Sequence, residues 1–181
     1  GYRVVAGING DFYNVSTGLP IGLVVTEGVL RSSDAGYYAI GFRADGTAVL
    51  GKPGVKVSAD LGYAVDDGSG SPVELIRPVI AVNKARTNSG VFLYTYDFNA
   101  KHTTGTTEAG VNVVCTVEQG QLAIGSTVTA RVERVEETTV TSIQPDQIVL
   151  SANANADAYY TNALRNMSAG SEVTLTVSAN A

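Results

Sequence analysis

Thr127-Val128-Thr129-Ala130-Arg131-Val132-Glu133-Arg134-Val135 sets Val128, Ala130, Val132 and Val135 against Thr129, Arg131, Glu133 and Arg134, with one slip near the end. A two-residue period describes a strand with one buried and one wet face. Working outward, residues 111–117, 91–96, 73–82, 61–65 and 55–58 read as further strands, and residues 147–150 and 172–177 as two more. Upstream, residues 38–43 and 47–50 flank Ala44-Asp45-Gly46, and residues 22–25 and 29–31 flank Glu27-Gly28. Such turn residues between apolar runs predict hairpins. An entering strand is expected over residues 3–8, a turn cluster over 66–72, and a polar, Thr- and Gly-rich loop over 99–110. One stretch has helical spacing: residues 154–167 carry Ala158, Ala163, Leu164 and Met167, with Gly170 as a stop. The expected class is therefore α+β, strongly β-rich, with antiparallel hairpins and one clear helix near 154–167.

Composition excludes several functions. The 181 residues carry 12 Lys+Arg against 17 Asp+Glu, a net charge of -5. That balance argues against nucleic acid or an anionic membrane surface as the main partner, since both need a cationic face. No run approaches the roughly 18 consecutive apolar residues of a membrane span, and no signal-peptide pattern stands at the start. Few Lys and Arg, no Trp, and abundant Val, Thr, Ala and Gly point to a bacterial surface or secreted protein. One cysteine excludes an internal disulfide framework, and one histidine leaves little scope for a histidine metal cluster. Cys115, in an apolar strand, reads as a small buried hydrophobe, and His102 as a solvated loop residue. Asp11, Asp66, Asp67 and Glu108 offer oxygen ligands for Ca²⁺, but their spacing matches no calcium loop, so no cofactor is expected.

The chemistry-bearing stretch begins at Asn9-Gly10-Asp11-Phe12-Tyr13, a polar triplet and two aromatics delivered by an apolar strand. Read alone, Asn-Gly-Asp is either a turn bonded to its own backbone or an amide and a carboxylate presented from a rigid base. Gly18-Leu19-Pro20-Ile21-Gly22, Val24-Val25-Thr26-Glu27-Gly28 and residues 39–47 follow. These four pieces, in this order and spacing, resemble the phosphodiester glycosidase family. Asn83-Lys84-Ala85-Arg86, residues 91–95 and the Thr-rich run 103–111 resemble its bacterial branch. The chain departs from the pattern at Asn112, where many relatives have Glu, and at Lys101-His102, an apparent loop extension. The Arg-containing strand and Asp-Gly-Gly-Gly-Ser-type motif of the family's carboxy-terminal half do not occur.

The resemblance implies residues 1–54 as the amino-terminal motif region and 55–181 as a β-rich continuation of the same domain, cut before that second half. It implies hydrolysis of a sugar-1-phosphodiester on extracellular or cell-surface glycans; if the site draws on both halves, the chain alone is inert. Such a reaction needs a carboxylate to activate water or stabilise an oxocarbenium-like carbon, and donors for the phosphate. Asp11 is the first candidate carboxylate, with Asn9 as donor to phosphate or a sugar hydroxyl. Gly10 and Gly22 would let backbone N–H groups approach, and Phe12 and Tyr13 would pack beside the ligand. Arg86 is the candidate phosphate partner, though a solvated surface charge is the simpler reading, and Glu108 is a nearby second carboxylate. The alternative function is a non-catalytic glycan-binding or structural module, which would leave Asn9, Asp11 and Arg86 scattered in solvent. Exposed strand edges would allow oligomers.

Overall fold

The computed structural model describes residues 12–33, 35–65 and 72–180. Seven strands close into a barrel: β5 (Lys56–Val65), β6 (Pro72–Val82), β7 (Val91–Thr95), β8 (Gly110–Gln119), β9 (Thr127–Thr138), β10 (Gln147–Asn153) and β11 (Glu172–Ser178). Their order around the wall is β10-β7-β6-β5-β11-β9-β8, and β8 returns to β10. Every neighbouring pair is antiparallel except β6 and β7, which run parallel through the crossover loop 83–90. Two hairpins lie outside this wall: β1 (Val24–Thr26) with β2 (Val29–Ser32), and β3 (Ala39–Phe42) with β4 (Ala48–Gly51).

Alternation builds the core. Val57, Ala59 and Leu61 of β5, Val91 and Leu93 of β7, Val111, Val113 and Cys115 of β8, and Val128, Ala130 and Val132 of β9 all point inward. Ile148, Leu150 and Ala152 of β10 and Val173, Leu175 and Val177 of β11 complete the lining. The opposite parity of three adjoining strands makes a smaller outer cluster of Phe92, Tyr94, Val114 and Val149, covered by Ile143, Tyr96 and Phe98. At one barrel end, β2 plugs the opening: Leu30 is buried and its N–H donates to the Leu122 carbonyl. At the other, the helix α1 (Ala158–Arg165) follows β10 and sends Ala163 and Leu164 into the core. Arg77, on the inward face of β6, reaches this helix; its Nε donates to the Tyr159 carbonyl at 2.9 Å and its guanidinium lies 3.6 Å from the Tyr159 ring centre.

The α+β expectation with hairpin architecture is corrected by these pairings. The molecule is a mostly-β closed barrel with one short helix. Turn residues report only the strand next in sequence, whereas closure depends on distant partners: β5 with β11, β7 with β10, and β10 with β8. The helix is also shorter than residues 154–167. The Asn153 side chain accepts from the Asn155 N–H at 2.9 Å and holds a turn, so the helix starts only after Asp157, whose carboxylate accepts from the Tyr159 N–H at 2.7 Å. The two short strands read at residues 55–58 and 61–65 are one strand, β5, with a register shift near Gly62, where φ is 80°. His102, expected in solvent, is half-buried: it stacks on Tyr96 with ring centres 3.6 Å apart, and its Nδ1 bonds the Tyr96 carbonyl. The entering strand expected over residues 3–8 lies outside the described residues, as does the turn cluster expected over 66–72 except for Pro72, the first residue of β6.

Cys115 faces the barrel interior, and burial pushes its thiol up to about 12. The thiolate is the reactive form, so at pH 8 a disulfide reagent should leave the native chain unlabelled for hours and label it within seconds in denaturant. Prompt labelling of the folded chain would contradict the inward placement.

Candidate functional site

Strand alternation places polar groups on the outer wall beside the helix-capped end. Asn112 of β8 and Ser151 of β10 are register partners, as are Gly110 and Asn153 one step further out. Asn112, Ser151 and Asn153 are all buried. Over them lies a cleft of about 580 Å³ walled by residues 85–88 after β6, residues 104–108 before β8, and Asn153 at the end of β10 with Asn155 just beyond it. Thr17, from the amino-terminal loop, completes the rim. Thr17, Thr87, Thr104, Thr106 and Thr107 supply hydroxyls, and Asn88, Asn153 and Asn155 supply amides.

Arg86 is the cation of this lining and Glu108 its carboxylate. The Arg86 Nη1 donates to Ser151 Oγ at 2.8 Å; its Nη2 donates to the carbonyls of Glu108 and, at 3.2 Å, Ala109. Ser151 Oγ in turn donates to the Asn112 side-chain oxygen at 2.5 Å, and Asn112 Nδ2 to the Thr138 carbonyl at 3.1 Å. Among the described residues no carboxylate lies within ion-pair distance of Arg86, so its bonds go to neutral oxygens. Burial holds its guanidinium below the ordinary value, opposed by the nearby Tyr94 and Glu108. Burial also drives the Tyr94 phenol well above its usual range, and its hydroxyl finds no hydrogen-bond partner among the described residues. The Glu108 carboxylate accepts from Asn153 Nδ2. Gly110 makes the close approach possible, because a Cβ there would sit 2.0 Å from Arg86 Nη1 and 2.4 Å from the Ala152 carbonyl oxygen.

Residues 83–86 act as a clasp. Asn83, at φ 53°, bonds the Arg31 carbonyl and the Thr95 hydroxyl through Nδ2, and its side-chain oxygen accepts from the Thr95 N–H. The Lys84 ammonium has three donors, and they reach the carbonyls of Pro20, Ile21 and Gly22 at 2.6, 3.0 and 3.1 Å. Lys84 thus holds the amino-terminal loop while Arg86 holds the loop before β8. That amino-terminal loop is also closed on itself, with the Gly18 N–H donating to Asn14 O and the Asn14 side chain accepting from Ser16 and Thr17.

Arg86 and Glu108, anticipated from the sequence, meet in this cleft, and Gly22 is tied beside it through its carbonyl. Phe12 and Tyr13 are largely exposed; Tyr13 bridges Pro20, and neither lines the cleft. Asn9, Gly10, Asp11, Asp66 and Asp67 lie outside the described residues, and no cluster of three or more potential metal ligands occurs among the described ones. Lys84, Asn112, Ser151 and Asn153 were not anticipated as site residues. The readable signal for the last three is a polar residue inside an otherwise apolar strand; carbonyl acceptors, which define the role of Lys84, leave no mark in a sequence.

No protein-family model matches the chain, and no curated protein does. A crystal structure of a hypothetical protein from Synechocystis superposes with a TM-score of 0.60 at 17% identity over 93% of this chain. That stretch is 27% of the Synechocystis chain, so this chain spans about a quarter of that protein's length, and the likeness shows the fold alone.

The clasp yields a direct expectation. Lys84→Met should cost about 1–3 kcal/mol in urea unfolding, the usual scale for a hydrogen-bonded charge. It should also raise amide exchange at Gly18 and Asn14 at least tenfold, leaving the β8–β9 amides unchanged; unchanged protection at Gly18 would show that Lys84 does not hold the loop.

Proposed function

We propose that the cleft binds a sugar-1-phosphodiester and that the chain takes part in hydrolysing it on extracellular or cell-surface glycans. One observation carries the reading: Arg86 and Glu108, 22 positions apart and both taken from stretches that resemble the family, line the same polar cleft. A guanidinium bonded, among the described residues, to hydroxyl and carbonyl oxygens suits a monoanionic phosphodiester. The surrounding threonines and asparagines match sugar hydroxyls, which both donate and accept. In the reaction, water attacks the anomeric carbon, the bond from that carbon to the phosphate oxygen breaks, and a phosphomonoester leaves. Arg86 would take the phosphate charge as it develops. Glu108, or Asp11 from outside the described residues, would accept the proton of the attacking water or face the oxocarbenium-like carbon.

The test is turnover and binding of an N-acetylglucosamine-1-phosphodiester by the chain. Arg86→Ala and Arg86→Lys should each weaken binding about 10–100-fold, the scale of a lost charge-assisted contact. Glu108→Gln should bind within threefold of the unaltered chain and lose turnover. Binding without turnover in the unaltered chain would favour the glycan-binding alternative; absence of both in a folded chain would overturn the proposal.

A further inference from the structure

The β3–β4 ribbon has its apolar side outward. Cross-strand partners share a face, and the register Ile40↔Leu50 and Phe42↔Ala48 puts these four residues together. Tyr38 continues the same parity, and Lys52 Nζ lies 5.2 Å from its ring centre. On this face Tyr38 is 71% exposed, Ile40 56%, Phe42 81% and Leu50 70%. The half-buried residues Ala39, Gly41 and Gly51 are on the other side. That inverts the ordinary arrangement, in which the apolar face is covered and the polar face is wet. Two strands alone are marginal in water and need a third strand or a packed cover. The barrel offers no free edge, because it is closed.

We propose that a second copy of this chain is the cover, the two ribbons packing apolar face to apolar face in an isologous dimer. The area suits it. Tyr38 and Phe42 are each more than two-thirds exposed, and an aromatic side chain buries about 150–250 Å². With Ile40 and Leu50 added on each copy, two stacked faces approach the roughly 1,200 Å² in total at the low end of specific interfaces. Charge suits it as well. The chain carries a net charge of -5, which opposes self-association in general. Residues 37–53, however, hold Arg43 and Lys52 against Asp45 alone, so stacked ribbons do not bring acidic surfaces together.

Sedimentation equilibrium from micromolar to millimolar chain tests the proposal. The unaltered chain should show a concentration-dependent doubling of mass. Phe42→Glu combined with Leu50→Glu should weaken association at least 100-fold without moving the melting temperature, and Ile124→Glu, at an exposed site far from the ribbon in sequence, should leave it unchanged. If the double variant unfolds, concentration-dependent amide exchange at Ile40 and Leu50 of the unaltered chain reads the same contact. A monomer throughout the range would overturn the dimer and assign the face to a different partner, as would a dimer that the folded double variant retains.

Discussion

Two side-chain cations two residues apart each grip a run of backbone carbonyls, and the geometry of the cleft depends on that. Lys84 takes three successive carbonyls of residues 20–22, and Arg86 takes two at 108–109. Backbone carbonyls are strong acceptors in fixed positions, so the grip orders both loops. The consequence is electrostatic. Had Glu108 neutralised Arg86 directly, an anionic ligand would have had to displace it; its carboxylate instead engages Asn153.

The barrel supplies the base on which this clasp stands. The β6–β7 crossover is where residues 83–86 sit, and it exists because two adjacent strands run parallel and need a connection longer than a hairpin turn. β10 pairs on both sides, with β7 and β8, and this brings Ser151 and Asn153 under a loop far away in sequence. The same two-residue period that fills the interior with Val111, Val113 and Cys115 sets Asn112 outward, where Ser151 reaches it.

The sequence made local features legible and hid long-range ones. Val128, Ala130 and Val132 line the barrel as their alternation predicted, and Asp45 closes the β3–β4 turn by accepting from the Thr47 N–H at 2.9 Å. Closure of the barrel was not legible, since no turn residue encodes the pairing of β11 with both β5 and β9. Helical spacing of four apolar residues over-extended the helix, because the capping chemistry of Asp157 and the Asn153 turn outweighed it. In the candidate site, Arg86 and Glu108, drawn from the stretches that resemble the family, line one cleft. The role of Lys84 was not legible, since an ammonium on carbonyls looks in sequence like any surface lysine.

The proposed role of Arg86 as an anion anchor, bonded among the described residues to neutral oxygens, is read by following the Arg86 Nε–Hε resonance while a phosphodiester is titrated into the chain. A saturable shift confined to Arg86 and the backbone amides of residues 104–107 is expected, reduced by salt as a charge contact requires. An Arg86 resonance that does not move, while the chain stays folded, would contradict it.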